Sequence, residues 1–140
     1  MREGSCTCGA VRFTIDGPVR DVIVCHCHAC LEAAGEPWAA SAARRADLHV
    51  EDAESIVWDA TAPSEHDASR GRCRVCGLVV FWDAPGRETV SFAVSTLRDD
   101  HGLAVAGQIW TAEVENPRDV GGAPPHAGSW PSTVDVPWHS

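Results

Sequence analysis

The sequence predicts an all-β domain, on two observations. Short runs alternate hydrophobic and polar residues with the two-residue period of a strand, and Gly, Pro or acidic turns separate them. Helical periodicity is weak throughout. Val11, Phe13 and Ile15 alternate with Arg12, Thr14 and Asp16, so this strand has one buried and one wet face, and Asp16-Gly17-Pro18 ends it. The apolar run Val22-Ile23-Val24 leads into Cys25, which places that cysteine at a strand end. One short helical turn is expected over Ala29 to Ala34, stopped by Gly35. Ser55 to Asp59 and Leu78 to Trp82 read as further strands. Thr89 to Thr96 alternates again, with Val90, Phe92 and Val94 on one side, and Gln108 to Val114 forms the last strand. From Glu115 onward, five of the nine prolines and three glycines punctuate the chain. Residues 1–114 are therefore expected to form the β domain. Residues 115–140 form an extended tail packed on the same domain, with Trp130 and Trp138 as anchors.

Composition narrows the functional classes. A chain of 140 residues with 44% hydrophobic and 22% charged residues is globular and of ordinary single-domain size. No apolar run approaches the roughly 20 residues of a membrane span, and the first residues carry no signal-peptide core. A cytoplasmic protein that keeps its thiols reduced is the expectation, so metal binding is favoured over disulfides, as the odd cysteine count also indicates. The net charge of −9 repels phosphate backbones, which argues against nucleic acid or an anionic membrane as partner.

The seven cysteines fall as Cys6-x-Cys8, Cys25-x-Cys27-x-x-Cys30 and Cys73-x-x-Cys76. Spacings of one or two residues let neighbouring thiolates share one metal ion. Cys6 and Cys8, at i and i+2, lie on one face of an extended chain, and a tight turn aims Cys73 and Cys76 inward. Gly9 and Gly77 follow these pairs and allow the backbone to turn its N–H groups toward sulfur. Seven divides into four and three: four thiolates close a tetrahedral zinc, and three leave a position open. Two zincs per chain are expected, one structural on Cys6, Cys8, Cys73 and Cys76, and one catalytic on Cys25, Cys27 and Cys30. His26 should point away from its flanking cysteines in an extended backbone. His28, nearer the turn, is the alternative fourth ligand that would close the second site. Three thiolates leave zinc weakly Lewis acidic and suited to a soft ligand such as a substrate thiol.

These stretches resemble the glutathione-dependent formaldehyde-activating enzyme family, also called centromere-protein-V-like. The resemblance rests on Gly4-Ser5-Cys6-Thr7-Cys8-Gly9-Ala10-Val11-Arg12-Phe13, on Cys25-His26-Cys27-His28-Ala29-Cys30 and on Cys73-Arg74-Val75-Cys76-Gly77. It implies an Mss4-like arrangement of folded sheets around zinc sites, with the catalytic β domain covering residues 1–114. It also implies a carbon–sulfur lyase that joins glutathione, or another small thiol, to formaldehyde as S-hydroxymethylglutathione. The chain departs from the family pattern at His28, often a small polar residue, at Gln108, often a histidine, and in its tail. Arg44, Arg45, Arg70 and Arg72 are candidate partners for the glutathione carboxylates. A non-enzymatic zinc-stabilised binding module is the alternative. A methionine sulfoxide reductase would need a lone nucleophilic cysteine, which the tight Cys25/Cys27/Cys30 group does not supply.

Overall fold

The computed structural model describes residues 1–60, 67–98, 101–114 and 122–140. Strands β1 (Arg2–Ser5), β2 (Arg12–Ile15) and β6 (Leu48–Val50) form a small antiparallel sheet in the order β1-β2-β6. The second sheet contains β3 (Val19–Arg20), β4 (Val22–Cys25), β5 (Trp38–Arg44), β7 (Ile56–Ala60), β8 (Ser69–Cys73), β9 (Val79–Asp83), β10 (Thr89–Ala93), β11 (Val105–Ile109) and β12 (Trp138–His139). Its main path runs β11-β4-β5-β10-β9-β8-β7, with β3 joining β5 and β12 joining β3. All its pairings are antiparallel except β11 with β4. The one α-helix among the described residues is α1 (His28–Ala34), closed by Gly35 at φ 78°, a left-handed turn that suits glycine.

The predicted all-β class holds, with shifts at element ends. The strand expected over Thr89–Thr96 stops at Ala93 and continues as a 3₁₀ turn, Val94–Thr96. The strand expected over Gln108–Val114 lies earlier, at Val105–Ile109. Trp110 takes a left-handed conformation (φ 57°) and Thr111–Glu113 forms a 3₁₀ turn, so the strand cannot run on.

Phe13 is the hub of the core. It is 1% exposed and packs edge-on against Phe81 and Phe92, at centroid distances of 5.2 and 5.8 Å. The ring also lies over Gly4, its cross-strand partner, where any side chain would collide with it. Ile15, Val11, Val80, Val90 and Ala43 complete this layer, and Cys6 and Cys73 belong to it.

Strand β5 separates this core from a second one. Ala43 faces the Phe13 layer, whereas Trp38 and Ala40 face the other side with Cys30, Val79 and Ala93. Small side chains along β5 let packed layers approach from both faces. Strand β9 serves both cores by a bulge. Gly71 pairs with Phe81 but Arg72 with Val79, so Val80 is the extra residue. Val79 then enters the second core while Val80 and Phe81 enter the first.

Phe13→Ala should cost about 3–5 kcal/mol by denaturant unfolding, the range for emptying a buried aromatic site. Gly4→Val should destabilise by about 1–3 kcal/mol through overpacking against the Phe13 ring. A Gly4→Val variant as stable as the parent would contradict the close approach of β1 to that ring.

Candidate metal centres

The first cysteine group is made by two turns. Cys6 and Cys8 lie between β1 and β2, while Cys73 ends β8 and Cys76 lies in the turn to β9. Gly9 (φ 81°) and Gly77 (φ 78°) take the left-handed conformation and close those turns by N–H bonds to Cys6 O (3.1 Å) and Cys73 O (3.0 Å). The Val11 amide donates to Cys6 Sγ (3.3 Å), and the amides of Val75 and Cys76 donate to Cys73 Sγ (3.4 Å each). All four sulfurs lie within 4.8 Å of one another, and the Cys6–Cys8, Cys6–Cys73 and Cys8–Cys73 spacings are 3.5, 3.5 and 3.6 Å. A zinc–sulfur bond of 2.3 Å implies sulfur spacings of about 3.8 Å around a tetrahedron. The donor set and spacing therefore fit zinc. Burial raises the Cys6 thiol, but the Val11 amide and the thiols of Cys73, Cys8 and Cys76 outweigh it and bring it down to about 6.

The second group sits on the opposite face of β5. Cys25 ends β4, Cys27 caps α1 and Cys30 lies in its first turn, where the Cys30 amide donates to Cys27 Sγ (3.3 Å). Cys25 and Cys30 sulfurs are 3.3 Å apart, and all three lie within 4.8 Å of one another. Among the described residues no fourth His, Cys, Asp or Glu joins the group. Hydrogen bonds from Cys25 and then Cys30 drive the Cys27 thiol strongly down, with the Cys30 amide and the Arg70 charge adding to them against burial. Cys25 moves strongly upward, first through its bond to Cys27. Arg70 Nη2 donates to Cys30 Sγ (3.4 Å), placing a cation at its edge. The donor set could hold a metal ion with a position to spare.

The two histidines between these cysteines differ. His26 is 7% exposed, and its backbone N–H donates to Ile109 O (3.0 Å). Its Nε2 lies 2.7 Å from Gln108 Oε1. Gln108 Nε2 donates to Ala123 O (3.1 Å), which turns Oε1 toward the imidazole and makes His26 Nε2 the donor. His28 is turned outward to Glu113, with Nε2 3.2 Å from the Glu113 carbonyl and Nδ1 3.4 Å from its carboxylate. It stands outside the thiol group. Neither partner is marked by the sequence: Gln108 stands where the family often has a histidine and at the start of the expected last strand, and Glu113 lies within that strand. The segment 123–128 secures both: Pro124 O accepts from Gln108 N–H (2.9 Å), and Gly128 O from Trp110 N–H (2.8 Å). Trp130 covers Gly107, and Trp138 pairs with Arg20 in β12. The first tail residues, 115–121, lie outside the described residues.

The candidate arginines divide likewise. Only Arg70 reaches the thiols. Arg45 is bound bidentately by Asp83 (2.6 and 2.9 Å), and Arg72 donates one hydrogen bond from Nε to Asp59 (2.7 Å). Arg44 and Arg45 line an open cleft of about 840 Å³ with Trp58 and Arg87, which contains none of the cysteines. Among the described residues no helix is long and apolar enough to cross a membrane.

The glutathione-dependent formaldehyde-activating enzyme family matches residues 1–113. A crystal structure of a Rhodobacter sphaeroides protein is similar, at 26% identity and a TM-score of 0.57, covering 89% of this chain and 99% of its own. No curated protein sequence matches the chain. The family match spans both thiol groups and every strand but β12, and the chain belongs to the glutathione-dependent formaldehyde-activating enzyme family.

Proposed function

We propose that the protein is a zinc-dependent carbon–sulfur lyase that joins glutathione, or another small thiol, to an aldehyde such as formaldehyde. The observation that carries this reading is the unequal pair of thiol groups: four converging sulfurs in one, three in the other. Cys6, Cys8, Cys73 and Cys76 would hold a structural zinc, and Cys25, Cys27 and Cys30 a catalytic one. Bound by three thiolates, that second ion supplies a soft fourth position that favours a substrate sulfur as thiolate. In the forward direction the thiol loses its proton, a sulfur–carbon bond forms, the carbonyl π bond breaks, and the oxygen gains a proton. The reverse step releases aldehyde and thiol.

The chain's own residues have distinct parts in this reading. Cys27, brought down by its neighbours, is the group most ready to enter as thiolate, and the Cys30 amide holds it in place. Arg70 offsets the negative charge of three sulfurs at Cys30. Trp38, Ala40, Val79 and Ala93 limit water on the sheet side. His26, fixed by Gln108, is a candidate for carrying the proton to the new hydroxyl. Residues 1–114 would form the catalytic unit, with residues 123–128 bracing Gln108.

Two substitutions and a chelator check this. Cys76→Ser should unfold the protein or sharply lower its Tm, because structural zinc contributes on the order of 10 kcal/mol. Cys27→Ser should keep the fold and lose activity, and a mild chelator should strip the Cys25/Cys27/Cys30 ion first. Equal unfolding by the two substitutions would make both ions structural and favour a binding module.

For the reaction, NMR exchange between glutathione and S-hydroxymethylglutathione should accelerate with added protein. An exchange rate identical with and without protein, for glutathione and for other small thiols, would refute the lyase reading.

A further inference from the structure

Arg70 places one cation at the thiol group, and among the described residues Arg20 is a second cation on the same side of the sheet. Arg20 ends β3. Its neighbour Val19 pairs with Ala43 and is buried in the Phe13 core, so Arg20 faces the other way, toward the side that carries Ala40, Trp38 and the three thiols. Its Nε donates to Asp21 O (3.3 Å) and its Nη2 to Ala40 O (3.2 Å). Among the described residues no carboxylate meets it, in contrast to Arg45 and Arg72. Burial lowers its guanidinium to about 10, and no anion offsets that cost.

Its location is defined by strand register. Cys25 pairs with Trp38, and Ile23 with Ala40. The Ala40 carbonyl that receives Arg20 is thus two residues, about 7 Å, along β5 from the partner of Cys25. A guanidinium carries five N–H donors, of which two are taken by these carbonyls, leaving others free for a bidentate acceptor. The tail strand seats Trp138 beside Arg20, and Pro137 O accepts from Asp21 N–H (2.9 Å), so the backbone around the guanidinium is held. On a chain of net charge −9, an anionic thiol needs such a local cation to approach the sulfurs.

We propose that Arg20 is the carboxylate-binding, specificity-determining residue of the thiol site, selecting thiols whose carboxylate is a peptide unit removed from the cysteinyl sulfur, as the glycyl carboxylate of glutathione is. The proposal rests on the reading of Cys25, Cys27 and Cys30 as a thiol-accepting site. It differs from two of the arginines expected from sequence, because Asp83 already fills the fork of Arg45 and Asp59 already neutralises Arg72.

The test uses cobalt-substituted protein and three probes: glutathione, its dimethyl ester and β-mercaptoethanol. Each is titrated against the thiolate-to-cobalt absorption of the parent, Arg20→Gln and Arg20→Lys, with Tm measured for every protein. Arg20→Gln should weaken glutathione binding about tenfold to a hundredfold, the range for a hydrogen bond to a charged group. The ester and β-mercaptoethanol should be unaffected. Arg20→Lys should fall between, since lysine keeps the charge but not the fork, and it carries the test if Arg20→Gln fails to fold. Glutathione binding unchanged in the variants, or weakened equally for all three probes, overturns the role of Arg20 while leaving the lyase reading intact. Absence of any spectral response in the parent overturns the thiol-accepting site itself, and this proposal with it.

Discussion

Cys6 and Cys73 belong at once to the sulfur group and to the hydrophobic core, and the rest of the structure depends on that double membership. Cys6 is 3% exposed and Cys73 fully buried, beside Phe13 and Phe81. Closing the four-sulfur group fixes the turn after β1 against the turn after β8, two places 67 residues apart in sequence. Phe13 then has its neighbours supplied from both sheets. A core of this size would otherwise rely on long-range strand pairing alone, with the loop-closure entropy that implies.

From that anchor the two faces of the larger sheet acquire different work. One packs the small sheet through Phe13, Ile15 and Val11. The other carries the thiol triad on a floor of small and aromatic residues. Strand β5 makes the division possible, because Ala40 and Ala43 are narrow enough to bury on opposite sides without forcing the layers apart. The bulge at Val80 makes the corresponding adjustment in β9. Family membership assigns the chain to an enzyme class. The geometry shows why its two sulfur groups are not equivalent: one gathers four sulfurs, with Cys6 and Cys73 in the core and Cys8 and Cys76 at the surface, and the other gathers three at a strand end and a helix start, with Arg70 at its edge.

The cysteine chemistry was legible in the sequence because spacing within each motif is local. Cys25 at a strand end, the helical turn stopped by Gly35, and a left-handed glycine after each four-sulfur pair follow from residue type. The Trp38–Arg44 strand was not legible. Its Trp-Ala-Ala-Ser-Ala-Ala-Arg sequence lacks the β-branched residues that mark strands, and its extended form comes from pairing on both edges. The last strand was displaced for a similar reason: residues 123–128 occupy the hydrogen bonds of Gln108, Trp110 and Thr111, and Trp110 turns left-handed. The sequence also could not separate the arginines. Arg45 and Arg72 find carboxylates and Arg70 finds Cys30 only through strand register, and Arg20 is buried by β5 and β12, neither of which the sequence analysis identified as a strand.

X-ray absorption at the zinc edge distinguishes a closed four-sulfur site paired with an open three-sulfur site from two closed ones. As-purified protein carrying both ions should show between three and four sulfurs per zinc with a lighter atom completing the average shell. Added glutathione should move that average toward four sulfurs. Four sulfurs per zinc at the outset, or imidazole scattering at the second site, with no change on adding glutathione, would contradict the open site.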